Sequence, residues 1–248
     1  MIIDCHTHWG VAWENRDHGD PFRWLEGSDR HGITASVLMG HLNLLRQDLS
    51  AQDNDNLAGL ARRSPTRLLP LATTWPQLGQ AAVKEMARCL EELKMKGLKF
   101  HPWLQGFSLT DSTFGKICGL AGELKAPVFF HDGTPCYSLP EQVGGLARRF
   151  PQTTFVLGHG GLLWSWRSAI LAAQRANVWI CLCGPHSRGI ELICERVAPE
   201  RILWGSDKGI GFKDDIEYRL NLFLRAKVPD KLREQILGVN PKRLLNYS

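Results

Sequence analysis

Residues 1–8, MIIDCHTH, form an apolar run that ends in two histidines separated by one residue. In a β-strand alternate side chains point to the same face, so Asp4, His6 and His8 are expected on one face and Cys5 and Thr7 on the other. Two neutral imidazoles on one face can bind a single divalent ion such as zinc or manganese. Because nine histidines in 248 residues allow this spacing by chance, the interpretation depends on where the other histidines and acids fall.

Short β-rich runs alternate with segments of helical period along the whole chain. The predicted strands are 2–6, 33–39, 67–72, 97–101, 127–131, 154–159, 178–182 and 201–207. The predicted helices include 80–94, 139–150, 213–226, 229–237 and 241–245, with Pro229 and Pro241 in first helical turns. Eight such units, uninterrupted by a linker, predict an α/β fold of one domain over residues 1–248, a (β/α)8 TIM barrel; the alternative is a doubly wound open sheet.

Composition and charge narrow the class of protein. With 44% hydrophobic and 22% charged residues, the chain can bury a large core. The net charge of +5 is spread in short pairs, so no nucleic-acid partner is expected and an anionic small molecule is favoured. Irregular cysteine spacing and the missing leader pattern predict a cytoplasmic protein without a disulfide framework. No apolar stretch approaches the roughly 18 residues of a membrane span, so no membrane partner is expected, and a homo-oligomer stays open.

Polar residues of metal-binding type stand at the ends of five predicted strands, where barrels of this kind place their sites. They are His6 and His8, Lys99 and His101 in GLKFHP, His131 in FFHDG, His159 in LGHGG, and Asp207 in WGSD. Each alone is explained as an ordinary loop residue. Together, five matching strand ends predict one site at this end of the barrel.

These motifs resemble the amidohydrolase superfamily, and specifically the amidohydrolase family 2 branch, which includes aminocarboxymuconate semialdehyde decarboxylase, related aromatic-acid decarboxylases, lactonases and hydratases. The closing LGVNPKRLL is similar to the N-A-x-R-L element of that branch, with Pro241 in place of the common alanine. The resemblance runs from Asp4 to Leu245 and does not name a substrate. It implies one divalent ion, zinc or alternatively manganese. The implied metal ligands are His6, His8, His131 and Asp207, and His159 is implied to orient the metal-bound water or the substrate.

Lys99 leaves the number of ions open. In some relatives a lysine at this place is carbamylated and bridges two metals, whereas GLKFHP matches the one-metal branch better, so a mononuclear site is preferred. Asp4 is interpreted as an anchor of the barrel floor rather than a hydrogen-bond partner of the histidines. Cys181 and Cys183, in CLC, share one face and are interpreted as packing residues.

The substrate contacts are predicted from residues just past strand ends. Candidates are His101, Trp103, Trp75 and Arg188, the last as a two-pronged donor to a carboxylate. Trp9, Trp13 and Trp164 also follow strand ends, and such aromatic walls favour a cyclic or aromatic small molecule.

The favoured function is a metal-dependent hydrolase of a small cyclic or aromatic amide, lactone or ester, with metal-activated water and Asp207 as proton shuttle. The alternative is a metal-dependent non-oxidative decarboxylase of an aromatic or unsaturated carboxylic acid, and the residues do not separate the two. A metal-dependent deoxyribonuclease is disfavoured because Lys99 stands where a glutamate is expected. A non-enzymatic scaffold is disfavoured because four convergent polar groups are costly to bury.

Overall fold

The computed structural model describes residues 1–10, 21–210 and 215–247. Its strands are β1 Ile2–Trp9, β2 Ile33–Gly40, β3 Leu68–Ala72, β4 Gly97–Phe100, β5 Val128–Phe130, β6 Phe155–Leu157, β7 Val178–Cys181 and β8 Ile202–Leu203. They form one eight-stranded sheet in the order β1 to β8, and each neighbouring pair is parallel. The predicted single-domain barrel is confirmed.

Helices cover the outside of this sheet, as parallel strands require. They are α1 Pro21–Asp29, α2 Leu42–Leu45, α3 Ser50–Arg63, α4 Gln80–Glu91, α5 Pro102–Gln105, α6 Ser112–Glu123, α7 Pro140–Arg149, α8 Trp166–Ala172, α9 Ser187–Arg196, α10 Asp215–Arg225, α11 Asp230–Glu234 and α12 Asn240–Leu245. Short 3-10 turns occur at Gln47–Leu49, Pro76–Leu78 and Pro199–Arg201, and a π-helical turn, Gln235–Val239, joins α11 to α12. Within the described ranges, every helix is too short or too polar to cross a bilayer.

Several predicted element bounds were wrong by a few residues. Helix α4 begins at Gln80 as predicted but ends at Glu91, because Lys94 adopts a left-handed backbone with φ 57°. Pro229 caps α11 from outside, whereas Pro241 does lie in the first turn of α12. The predicted start of the helix at 213 lies outside the described residues. Strands β5, β6 and β8 end before their site residues, which therefore lie on the connecting loops, whereas β4 contains Lys99 and ends one residue before His101.

Buried apolar side chains form two layers on the two faces of the sheet. An inner layer consists of strand residues that meet inside the barrel, among them Val37, Leu71, Phe129, Val156 and Leu203. The alternate strand residues pack outward against the helices in a second, larger layer. The strand period of two thus decides which side chains fill the barrel and which bind it to its helical shell.

Strand β1 departs from strict alternation. Its register against β2 shifts between Asp4 and Thr7. As a result Cys5 packs in the inner layer, while His6 also faces inward, its ring within 3.6 Å of the Cys183 sulfur. The predicted separation of Cys5 from the histidine face is therefore wrong, because an irregular register resets the alternation of side chains.

Backbone hydrogen bonds close the barrel between β1 and the segment that follows β8. The Asp207 N–H donates to the His6 carbonyl (2.8 Å), and the His8 N–H donates to the Lys208 carbonyl (2.7 Å). These two bonds place Asp207 next to both histidines of β1. Residues some 200 positions apart in sequence therefore meet because the sheet returns on itself.

Asp4 stabilises the same junction between β1 and the segment after β8. Its buried carboxylate accepts hydrogen bonds from the Ser206 N–H (2.9 Å), the Ser206 hydroxyl (2.5 Å) and the His6 N–H (3.2 Å). Burial raises the pKa of Asp4 to about 6, and these donors oppose the rise. These contacts agree with the anchoring role predicted for Asp4.

We expect Asp4→Ala to lower the free energy of unfolding by about 3 kcal/mol or more, because three buried donors lose a shared acceptor. Urea denaturation followed by circular dichroism measures the change. The control is Asp29→Ala, which removes a carboxylate that pairs with Arg67 at the surface and is 53% exposed, and should cost under about 1 kcal/mol. Equal losses in the two variants would contradict the anchoring role.

Candidate metal centre

Six of the nine histidines form a continuous row of rings across the carboxyl ends of the strands. Successive ring centroids are 3.8 to 5.3 Å apart, in the order His41, His8, His6, His159, His131 and His101. The structure therefore brings together all five histidines that the sequence predicted at the site. The sixth, His41, was missed, although it directly follows β2 and the strand-end criterion applies to it as well.

His6 lies at the centre of this row. Its Nδ1 is 3.0 Å from the Gly158 carbonyl, and as the donor there it leaves Nε2 free to accept from the Lys99 amine, also at 3.0 Å. A Cβ at position 158 would lie 2.8 Å from the His6 ring and 2.3 Å from the Phe130 carbonyl. Only glycine permits this close approach, so Gly158 fixes the ring and directs Nε2 to the site.

Asp207 faces three of the histidines. Its Oδ1 lies 3.5 Å from His6 Nε2 and 3.6 Å from His8 Nε2, and its Oδ2 lies 4.0 Å from His159 Nδ1. These separations are too long for hydrogen bonds but suit ligand atoms around one shared ion, which binds nitrogen and oxygen at roughly 2.0–2.2 Å. The Asp207 side chain is 22% exposed, so a substrate can reach it.

Unpaired polar atoms provide the test of whether these residues fit a metal. His8 Nε2, His159 Nε2 and Asp207 Oδ1 are buried without a hydrogen-bond partner among the residues that the structure describes. Each such atom costs roughly 1–3 kcal/mol when it stays unsatisfied. A divalent ion among them would remove that cost, so the donor set fits the ion that the sequence predicts.

Burial also keeps the site histidines in the ligand form. It lowers the pKa of His6, His8 and His159 well below the usual range, and that of His131 to about 3. Neutral imidazoles are the form that binds metals. The same burial raises the pKa of Asp207 to about 6.

Lys99 is buried within the site rather than at its rim. Burial lowers the pKa of its amine to about 8, the amine contacts His6, and Asp207 is close enough to favour the charged form. This position agrees with a role at the metal centre. The mononuclear site and the carbamylated bridge both stay predictions.

Two further residues of the site were missed or given a lesser role. Asp132, which follows His131 in the FFHDG motif, is buried and accepts from the backbone N–H groups of His159 and Gly161, both at 2.6 Å. It thereby holds the loop that carries His159. Cys183, interpreted as packing, lies with its sulfur 3.0 Å from His159 Nδ1.

Of the four predicted substrate contacts, His101 and Trp103 lie at the histidine row. The His101 ring stacks on His131 and lies 6.0 Å from the half-exposed ring of Trp103. The Trp75 indole donates to the Asn43 carbonyl. Arg188 is 64% exposed and pairs with Glu191 on the same helix, and no contact among the described residues joins it to the histidines.

The other tryptophans add little to the site. Trp9 packs edge-on against Trp24, and Trp164 is largely exposed. Trp13 lies outside the described residues. The aromatic wall predicted from the sequence is therefore best represented by Trp103.

Comparison with known proteins identifies the family of this chain. A family model described as amidohydrolase matches residues 3–247. The 2-amino-3-carboxymuconate-6-semialdehyde decarboxylase of Dictyostelium discoideum is 27% identical over 136 residues, a match that covers 46% of this chain and 38% of that protein. The matched part is thus well under two thirds of the length of this curated relative.

Solved structures agree on the fold. The 5-carboxyvanillate decarboxylase from Sphingomonas paucimobilis has a TM-score of 0.78 at 15% identity, covering 100% of this chain and 99% of that chain. A dihydroxybenzoic acid decarboxylase from Polaromonas, with bound manganese and the inhibitor 2-nitroresorcinol, has a TM-score of 0.77 at 16% identity, covering 99% and 96%. At these identities the likeness establishes the barrel fold.

We expect the purified protein to hold about one equivalent of zinc or manganese per chain, and the double variant His6→Ala, His8→Ala to hold none. Elemental analysis after exposure to a mild chelator measures both. His31→Ala is the control, because His31 precedes β2 and so lies at the opposite end of the barrel. Stoichiometric metal in the double variant would place the site elsewhere, and two equivalents in the wild type would favour the Lys99 bridge.

Gly158→Ala should weaken metal binding by roughly 10- to 100-fold, because the new methyl group displaces the His6 ring and its carbonyl support. Competition with a chromogenic chelator gives the affinity. Gly119→Ala is the matched control, since a Cβ there meets no atom within 4 Å. Unchanged affinity in Gly158→Ala would show that the placement of His6 does not determine metal binding.

Proposed function

We propose that this chain, which belongs to the amidohydrolase family 2 branch of the amidohydrolase superfamily, is a metal-dependent non-oxidative decarboxylase of an aromatic or unsaturated carboxylic acid. The observation that carries the proposal is the convergence of Asp207 with His6, His8 and His159 in a chain whose relatives described above are decarboxylases. Of the two reactions that the sequence left open, decarboxylation is therefore better supported than the hydrolysis first favoured.

The proposed ligands of the ion are His6, His8, His131 and Asp207. Three neutral imidazoles and one carboxylate suit zinc, and the relative from Polaromonas holds manganese, so either ion agrees with the proposal. When bound, the ion supplies a Lewis acid that holds the substrate's oxygen atoms and stabilises the negative charge that develops as carbon dioxide leaves.

The remaining chemistry is the delivery of one proton. The bond between the substrate carbon and its carboxylate breaks, carbon dioxide departs, and the carbon that keeps the electron pair takes up a proton. Asp207 is the proposed donor, because its side chain is partly exposed and directed into the site. One carboxylate oxygen would hold the ion while the other would take up a proton from solvent and pass it to the carbon. His159, buried at the back of the site, would orient the substrate through its unpaired Nε2.

Substrate binding is expected to use the aromatic surface and the positive charge of the site. The stacked His101 and His131 rings and the neighbouring Trp103 offer a flat apolar wall for a planar ring. The Lys99 amine adds the charge that a carboxylate needs. An anionic ring compound fits both features.

The test is a panel of hydroxybenzoates, aminobenzoates, vanillate-type acids and muconate-type acids, with carbon dioxide release as the readout. A matched panel of lactones, esters and amides tests hydrolysis under the same conditions. We expect carbon dioxide from at least one acid, and incorporation of labelled bicarbonate into its product in reverse. Hydrolysis of the second panel without any carbon dioxide release from the first would return the assignment to a hydrolase.

Asp207→Asn should lower turnover of the responsive acid by about 100-fold or more, the scale expected when a positioned proton-transfer group is lost. Metal content is measured in the same samples, so that loss of the ion is distinguished from loss of the proton donor. Asp48→Asn, a change at an exposed carboxylate paired with Arg46, is the control. Near-normal turnover in Asp207→Asn would remove Asp207 from the mechanism.

A further inference from the structure

Cys183 lies inside the metal centre, yet the proposed reaction assigns it no task. The residue follows β7 and is fully buried. Its sulfur lies 2.9 Å from the Gly158 carbonyl, 3.0 Å from His159 Nδ1 and 3.6 Å from His6 Nδ1. A thiol that only filled space would not need to sit among three polar atoms of the site.

The backbone places this sulfur by a close approach of two loops. A Cβ at Gly184, the next residue, would lie 2.2 Å from the His159 carbonyl and 2.9 Å from the backbone of Leu162. Glycine alone fits there, so the segment after β7 is held against the loop that carries His159. The sulfur of Cys183 is thereby brought to the same end of the barrel as the predicted ligands.

The sulfur also completes a compact group of donor atoms. One ligand atom from each of His6, His159, Cys183 and Asp207 lies within 4.8 Å of every other. Around a tetrahedral zinc ion, with bonds of about 2.0–2.3 Å, ligand atoms are separated by roughly 3.3–3.7 Å. The distance of 3.5 Å between Asp207 Oδ1 and His6 Nε2, the ring nitrogen that faces the site, falls in that range. The sulfur lies 3.0 Å from His159 Nδ1, and its 3.6 Å contact with His6 is to Nδ1, the nitrogen that donates to the Gly158 carbonyl.

We propose that Cys183 is a sulfur ligand of the metal ion in this chain. The inference rests on the metal centre of the proposed function and adds a donor that the sequence pattern did not assign. Binding replaces the thiol proton by the metal: the sulfur–hydrogen bond breaks, the proton leaves to solvent, and a metal–sulfur bond forms without oxidation or reduction. Sulfur favours zinc and cobalt over manganese, which prefers oxygen ligands, so the centre should select zinc.

Cobalt substitution tests this directly, because a cobalt–thiolate bond produces an intense charge-transfer band in the near ultraviolet that nitrogen and oxygen ligands do not give. The purified protein is stripped with a chelator and titrated with Co²⁺. We expect the band in the wild type and its loss in Cys183→Ala and Cys183→Ser. Cys181→Ala is the matched control, since Cys181 is equally buried in the same segment but lies outside the donor group.

A second measurement tests whether the site prefers zinc to manganese. Stripped protein is offered equal concentrations of Zn²⁺ and Mn²⁺, and the bound ratio is measured by elemental analysis. The ratio of zinc to manganese should fall by about tenfold or more in Cys183→Ala relative to both wild type and Cys181→Ala, the scale on which single changes at metal sites alter affinity.

The outcomes separate this inference from the proposed function. If the wild type binds cobalt but shows only the weak visible bands and no charge-transfer band, Cys183 is not a ligand. That result would leave the proposed metal-dependent decarboxylase unaffected. A band that survives Cys183→Ala would assign the sulfur to another cysteine and also overturn it. If the wild type binds none of the three ions, the metal centre itself fails. Because the absence of the band in the wild type overturns the inference by itself, the inference can fail even if the variants do not fold.

Discussion

The return of the sheet to its first strand is the interaction on which the site depends. Two backbone hydrogen bonds, from Asp207 to His6 and from His8 to Lys208, join the start of the chain to the segment after β8. Asp4 secures the same junction through Ser206. Without this closure the carboxylate and the first two histidines would lie at opposite edges of an open sheet, and no shared ion could bind them.

Much of this arrangement could be predicted because barrel geometry converts strand ends into a common location. The apolar runs located eight strands, and polar residues at their ends identified His6, His8, His131, His159 and Asp207. Cys183 escaped because the sequence placed it with Cys181 as a packing residue, and both do lie in the inner layer. Its contact with His159 comes from a loop 24 residues earlier in the chain, which the local pattern does not record. The face of Cys5 was misjudged because the register shift in β1 leaves no mark in the residue types.

The predictions failed where a side chain's partner, rather than its position in an element, determines its role. Arg188 has the chemistry of a carboxylate clamp, but Glu191, one helical turn away, pairs with it at the surface. Asp132 lies beside a predicted ligand and was not singled out, yet it fixes the His159 loop through two backbone N–H groups. Such contacts bridge β5 and the loop after β6, so no local pattern records them.

The row of histidine rings makes the fold sensitive to mild acid. In the unfolded chain each histidine takes up a proton near pH 6.5, whereas in the fold His6, His8, His159 and His131 do so only at much lower pH. Below pH 6.5 the unfolded state therefore binds more protons than the folded state, and through these histidines the free energy of unfolding falls. Four buried carboxyls with pKa values raised to about 6 act in the opposite sense as the pH falls through 6 toward 4: Asp4, Asp53, Asp132 and Asp207. Protonation of the histidine row thus opposes folding in mild acid, and a bound ion would resist that protonation by occupying the same nitrogens.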